Sequence, residues 1–454
     1  MPAMNTAAQE TTGPTRRGRR RERGFSLIEV VAATLISVEV ILAALALFDF
    51  HNKLARVQTQ VSEMQQSLRV AQYEIVRLAR EAGRGGFPAV LQAGTANEAY
   101  GAVAVRNNVG GAVSDQIAIG FAGSPKAQDG SDILTLRGVF STPIFQLNPA
   151  APSLVLTPNG ATPATATGGT VVVCATTPTG IAQDLTQLIN AVNAAAAATQ
   201  VEPLIMVSPI NESIYAVVEL NPAKSNLIGN QSQCPSPAGV ANPNGILLAF
   251  NVTGDTNANA FQQLGAVSSV NGLPTRMTSI AWLGILEEYR YYCRQDNTGP
   301  FNDPMPHLSR ARMYPGTETP YYGDPNNLQV DVADNVLDLQ VALGVDKNAD
   351  GLITEGTGLG NPPNQTPSTT DEWIYNFAGD APFPPLPPPL ISWPLREVRI
   401  STLAKTGNFD PSYQGPKITN IEDHVYTASD FANTFRGRTY RHRLLQTVVG
   451  LRNL

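Results

Sequence analysis

The chain has 454 residues, 43% of them hydrophobic and only 15% charged, with 35 Pro and 38 Gly. A charged fraction well below the roughly 25% of average globular proteins excludes a charge-rich disordered chain and a bulk-basic nucleic-acid binder. The length exceeds one hydrophobic core, so two domains or one domain with long insertions are expected. The net charge is −6, and three Cys are too few for a disulfide scaffold.

That charge is unevenly placed. Residues 1–24 carry six Arg (Arg16, Arg17, Arg19, Arg20, Arg21, Arg23) against Glu10 and Glu22, a net +4, leaving 25 basic and 35 acidic residues, −10, for the rest. A basic cluster beside a long apolar run keeps the basic end cytoplasmic and sends the C-terminal remainder across the membrane. The run Phe25–Phe50 has the ~20 residues needed to cross a bilayer and is longer than the h-region of a secretory signal. An alternative reads Ala44-Leu45-Ala46 as a signal-peptidase site, releasing a chain that begins at Leu47. Glu29 and Glu39 interrupt the run, and a carboxylate at bilayer depth costs about 2.5–3.5 kcal/mol on insertion scales, so each asks for a partner. Cleavage after Gly24 would create an α-amine on Phe25 that a neighbouring subunit's Glu29 could neutralise. Glu39 has no such partner.

After His51 the run continues as an amphipathic helix. Leu54, Val57, Val61, Met64, Leu68, Ala71, Ile75, Leu78 and Ala82 alternate spacings of three and four, with Lys53, Arg56, Gln60, Glu63, Gln66 and Glu74 off that seam. A homodimeric coiled coil would use the same pattern. The stretch is only about four heptads, which favours a seam packed on the protein's own sheet. Gly83, Gly85, Gly86 and Pro88 end the helix.

The segment Arg23-Gly24-Phe25-Ser26-Leu27-Ile28-Glu29-Val30 resembles the class III signal of type IV pilins and type II secretion pseudopilins. That resemblance implies cleavage by a prepilin peptidase after Gly24, a methylated Phe25 and an assembly role for Glu29. The leader is longer than many, and Met4 is an alternative start to Met1.

Beyond Phe87 the sequence breaks into short β-rich runs divided by Gly, Pro, Asn and Ser. Strands are expected at Gln116–Phe121, Asp132–Arg137, Thr170–Cys174, Leu204–Val207, Ser213–Glu219, Gly245–Asn251, Glu287–Cys293 and Glu397–Ala404, with a helix at Gln183–Thr199. Residues 147–169 (Pro/Ala/Thr-rich) and 357–390 (Pro-rich, with a polyproline run at 384–389) read as loops. Three C-terminal segments are similar to PilW-type minor pilins: Asp334–Asp346, Arg396–Thr406 and Arg438–Asn453. The strand Tyr289–Tyr292 leading to Leu308-Ser309-Arg310 also fits, whereas residues 90–280 match poorly.

Asp346, Asn348 and Asp350, with Gly351 and the Leu352 carbonyl, occupy the first half of a calcium loop, in which a hard cation takes oxygens at positions one, three, five and seven. Position twelve is Thr357 rather than Glu, so Glu355 or a distant carboxylate would have to complete a Ca2+ shell. An Asx-rich turn without metal is the alternative. Cys293 lies in a strand-like aromatic run and reads as buried, which leaves Cys174 and Cys234 to pair in an oxidising periplasm. His51, His307, His424 and His442 have no ligand spacing. The patterns G-x-S-x-G, H-E-x-x-H, C-x-x-C and the phosphate loop are missing, and Glu287-Glu288 would point to opposite strand faces, so no enzyme is expected. The basic run Arg436, Arg438, Arg441, Arg443 and Arg452 could contact DNA or an acidic partner, but the favoured reading is a solvated face that keeps the last strand from pairing at its edge.

The expected architecture is α+β. Residues 1–24 are a leader, 25–50 the membrane or filament-core half of a stem helix, 51–86 its amphipathic half, and 87–454 an antiparallel β-sheet head with long loops and an insertion at about 140–275. The resemblance implies a minor pilin of type IV pilus assembly acting in initiation or at the tip. It would be held in the inner membrane as a single-pass prepilin with a periplasmic head, then carried to the cell surface. Its partners would be the prepilin peptidase, other minor and major pilins, and the inner-membrane assembly platform. The alternatives are a type II secretion pseudopilin and an anchored or secreted adhesin.

Overall fold

The computed structural model describes residues 24–85, 102–110, 127–147, 156–159, 162–166, 170–197, 203–207, 215–220, 226–228, 234, 245–249, 281–296, 303–315, 321, 329–356, 370–378 and 395–452. The chain divides into two compact units, Met1–Thr59 and Gln60–Leu454. Helix α1 (Leu27–Glu81) starts in the first and ends in the second.

In the first unit every described residue of α1 up to Phe50 is exposed, including Leu35, Ile36, Leu42, Leu45 and Phe48. It is the one described helix long and apolar enough to cross a membrane. Such a face needs lipid or other helices to cover it.

The second unit holds the strands. In chain order these are β1 (Val103–Arg106), β2 (Ile133–Gly138), β3 (Phe145–Gln146), β4 (Leu156–Asn159), β5 (Thr162–Ala166), β6 (Thr170–Cys174), β7 (Pro203–Val207), β8 (Tyr215–Glu219), β9 (Asn226–Ile228) and β10 (Gly245–Ala249). They continue with β11 (Trp282–Ile285), β12 (Glu287–Asp296), β13 (Met305–Met313), β14 (Gln329–Asp334), β15 (Val336–Val345), β16 (Trp373–Ile374), β17 (Leu395–Lys405), β18 (Asn420–Ile421), β19 (His424–Val425) and β20 (His442–Gly450). Helix α2 (Thr186–Ala197) lies between β6 and β7.

Two sheets build the main core, ordered β1-β2-β12-β13-β14 and β16-β15-β17-β20, all their pairings antiparallel. The chain passes from one to the other at Asn335, whose φ of 61° turns β14 into β15. Asn tolerates this left-handed conformation better than most residues. Ala71, Ile75, Leu78, Ala79 and Ala82 of α1 join one apolar core with residues of both sheets, among them Leu134, Tyr291, Leu308, Val341, Ile400 and Val449. Met64 and Leu68 pack with Ala404 and Leu445. The three-four seam is therefore covered by the protein's own sheets from Met64 to Ala82, while Leu54 remains 43% exposed. Gly83 (φ 79°) and Gly85 (φ 97°) turn the chain out of the helix.

Most expected strands match in place. The expected helix at Gln183–Thr199 begins later, at Thr186, because Asp184 Oδ1 accepts the Thr186 amide (2.9 Å) and Gln183 is drawn away. The Gln183 amide nitrogen donates to the carbonyls of Gln146 and Cys174 (both 3.0 Å). Residues 147–169, read as loop, contain the β4–β5 hairpin. The strand expected at Gln116–Phe121 and the polyproline run at 384–389 lie outside the described residues.

Candidate functional site

The start of α1 gathers Gly24, Phe25 and Glu29 on one short exposed stretch. Ser26 is the N-cap in a reciprocal arrangement: its Oγ accepts the Glu29 amide (3.3 Å), and Glu29 Oε2 accepts both the Ser26 amide (2.9 Å) and the Ser26 hydroxyl (3.1 Å). This is a capping box, satisfying two amides that a helix start otherwise leaves open. Glu29 Oε1 accepts no hydrogen bond among the described residues. One oxygen thus fixes the helix start and the other stays open to a group from outside. Phe25 is 85% exposed just before the cap, and nothing crowds the Gly24 Cα.

The amphipathic half of α1 is locked to the head by Gln72. This side chain is 5% exposed, and its Nε2 lies within hydrogen-bond distance of the Ile400 carbonyl (3.2 Å), Thr402 Oγ1 (3.0 Å) and the Leu445 carbonyl (3.1 Å). Glu74, two positions on, pairs with Arg310 of β13 and with Arg77. These contacts fix rotation and register of the helix on β13, β17 and β20. Sequence reading places Glu74 off the seam and gives no role to Gln72. Gln72 is one of five glutamines on this half of the helix, and only its position beside the seam residue Ala71 sets it apart.

A polar network, also unseen in the sequence, joins the two sheets. At Leu339–Val341 the edge of β15 opposite β17 is closed by side chains. The Asp132 amide donates to the Leu339 carbonyl (2.8 Å), Ser131 Oγ accepts the Leu339 amide (3.1 Å), and Asp132 Oδ2 accepts the Val341 amide (2.7 Å). Asp132 is fully buried, and burial, with Asp423 nearby, pushes its carboxyl well above the usual range in spite of the amides of Asn108 and Val341. Beside it, buried Asp338 accepts hydrogen bonds from His424 Nδ1 (2.9 Å), Gln340 Nε2 (3.1 Å) and the Tyr426 hydroxyl. Burial disfavours charge on His424, but the hydrogen bond and field of Asp338 outweigh it and raise its pKa. Gly130 (φ 80°) passes so close to this ring that a Cβ there would lie 2.7 Å from His424 Nε2. The network is structural, because its carboxylates are taken up by amides, an imidazole and a hydroxyl of the fold itself.

The Asp346–Glu355 segment is a hydrogen-bonded loop. Asp346 Oδ1 accepts the Asp350 amide (3.1 Å), and its Oδ2 accepts the Gly351 amide (3.0 Å) with Arg396 at 3.4 Å. Asp350 Oδ2 takes the Asn348 side-chain amide (3.0 Å), and its Oδ1 takes the Leu352 amide (2.8 Å). Glu372 accepts the amides of Lys347 and Thr354 from across the loop. Glu355 faces away, paired with Arg399 at 2.7 Å. Among the described residues no three His, Cys, Asp or Glu side chains converge as a metal shell. Asp346, Asp350 and Glu372 thus accept backbone amides within the loop, the Asx-turn arrangement that a metal-free turn also uses.

Cys174 and Cys234 form a disulfide with Cα atoms 5.5 Å apart, and Cys293 is a buried free thiol that burial pushes well up. Glu287 and Glu288 serve separate partners. Glu287 accepts the amides of Phe140 and Ser141, whereas Glu288 lies between Arg137 and Arg290, both at 2.7 Å. In the basic run, Arg441 pairs with Asp410 (3.0 Å) and Arg436 with Asp303 (2.9 Å). No family model, curated protein or solved structure matches the chain.

Proposed function

We propose that this chain is a minor pilin of the PilW type, a non-enzymatic prepilin cleaved after Gly24 and incorporated through its stem helix into a type IV pilus or its initiation complex. The observation that carries the reading is the start of α1. An exposed Gly24-Phe25 precedes a Ser26–Glu29 capping box, and from there one continuous helix of 55 residues runs from an exposed apolar half into a half bearing buried head contacts. The C-terminal resemblance of residues 334–346, 396–406 and 438–453 supports the PilW type over a type II secretion pseudopilin. The Cys174–Cys234 bond suits export to an oxidising compartment.

In this reading the exposed stem holds the subunit in the inner membrane with the head in the periplasm until extraction. The same apolar surface is then buried against the stems of other minor and major pilins. Glu29 has one oxygen committed to its own cap and one open to the α-amine that cleavage would create on a neighbouring Phe25, a pairing that sets axial register. The head is bulky for a shaft position, which favours the tip.

The test is mass analysis of the N-terminus of membrane-derived protein, with and without prepilin peptidase. A chain starting at methylated Phe25 only in the presence of the peptidase is the expected result. A chain starting at Leu47, or an uncut chain in both samples, sinks the reading and favours the adhesin or a plain anchor.

A further inference from the structure

One polar residue in the apolar half of α1 differs from the rest. Between Phe25 and Phe50 the polar side chains are Ser26, Glu29, Thr34, Ser37, Glu39 and Asp49. Ser26 and Glu29 satisfy one another in the cap. Thr34 and Ser37 donate back to the Val31 and Ala33 carbonyls (2.8 and 2.7 Å), the usual way a hydroxyl is tolerated in an apolar helix. Asp49 pairs with Lys53 at 2.8 Å. Glu39 alone has no hydrogen bond or ion pair among the described residues, and it stands near the middle of the run.

Its own chain cannot supply a partner. The nearest basic side chains on the helix are His51 and Lys53, twelve and fourteen residues on, or about 18 and 21 Å along the axis at 1.5 Å per residue. A second copy aligned with the first offers only another Glu39, since Phe25–Phe50 contains no Lys, Arg or His. The face around Glu39 is shaped for close approach: positions seven before and seven after are Ala32 and Ala46, and Ala43 lies one turn on. Small residues let helix backbones come together in lipid, and a polar side chain there acts as glue between helices.

We propose that Glu39 is a docking residue for a different membrane-spanning helix, one that carries a Lys or Arg at mid-bilayer depth and packs on the Ala32–Glu39–Ala46 face. This rests on the stem lying in a membrane, but not on cleavage after Gly24.

The test uses the full chain in its native membranes, with a photo-cross-linking amino acid at Leu42, on the Glu39 face, or at Ile41, on the opposite one. The expected result is a cross-link from Leu42 and not from Ile41, to a peptide of another protein that contains a Lys or Arg within an apolar span. Glu39→Leu should lower its yield about tenfold, the scale of one interhelical polar contact. Pairing Glu39→Lys with the reverse substitution in the partner should restore it. Retention of the Cys174–Cys234 bond reports that each variant's head has folded. Unchanged yield in Glu39→Leu, cross-links only to second copies, or cross-links only to lipid would each overturn the proposal. If the wild-type chain is washed from membranes by carbonate, the membrane reading falls with it. The N-terminal mass separately decides the processing reading.

Discussion

At the scale of the residue, buried polar side chains do the positioning. Gln72 ties α1 to two strands whose bonded atoms lie more than 320 residues away in sequence. Gln72→Ala removes those bonds and opens a gap, so a loss of about 1–3 kcal/mol is expected in urea unfolding. A loss within experimental error would show that the apolar seam alone fixes the helix. His424 gives a pH test. Its folded pKa is raised above 6.5 by Asp338 against burial, so its contribution is fully present below the unfolded value and is lost as pH rises through the folded one. The stability difference between wild type and His424→Asn should therefore shrink as pH rises from below 6.5 through the raised folded value. The groups facing the ring, Asp338, Asp423, Asp430 and Tyr426, are present in both proteins. A difference that grows across this window would reverse the assigned sign. Neither residue is legible in the sequence, since one Gln among five on its helix and an isolated His carry no distinguishing spacing and owe their roles to distant partners.

At the scale of the element, α1 changes character along its length because its neighbours change. Its three-four seam is visible in the sequence, since helical periodicity is local, and the seam residues Met64, Leu68, Ala71, Ile75 and Leu78 are buried, joined by Gln72 and Ala79 beside them. Leu68, 1% exposed, should lose about 2–5 kcal/mol on truncation to Ala, as a well-packed core leucine does. Val70, 45% exposed on the other face, should change stability by no more than about 0.5 kcal/mol. Equal effects in chemical denaturation would contradict the observed face. The β4–β5 hairpin escapes sequence reading because Thr162–Ala166, TPATA, has the composition of a loop, and only its pairing to Leu156–Asn159 makes it a strand. The edge of β15 is equally unreadable. There a Ser131-Asp132 pair stands in for a strand by offering side-chain oxygens to backbone amides.

At the scale of the whole molecule, the Cys174–Cys234 bond crosses 60 positions and joins β6, within the β6-β10-β9 sheet, to a residue that packs with Val172. Replacing both Cys by Ser should cost roughly 2–4 kcal/mol, chiefly by freeing the unfolded chain. Hydrogen exchange should rise first in β6 and β10, and uniform exchange with an unchanged melting temperature would mean that the small sheet stands without the bond. The sequence by itself determined the basic N-terminal segment, the apolar run, the seam, the helix stop at Gly83 and most strand positions. Each of these is written in neighbouring residues, by charge, period or the freedom of glycine to take a positive φ. Tertiary structure alone decided which surface covers the seam, how β15 is closed and where Glu355 turns. Those outcomes depend on which groups folding brings within hydrogen-bonding reach, and that is set by long-range packing rather than by local spacing.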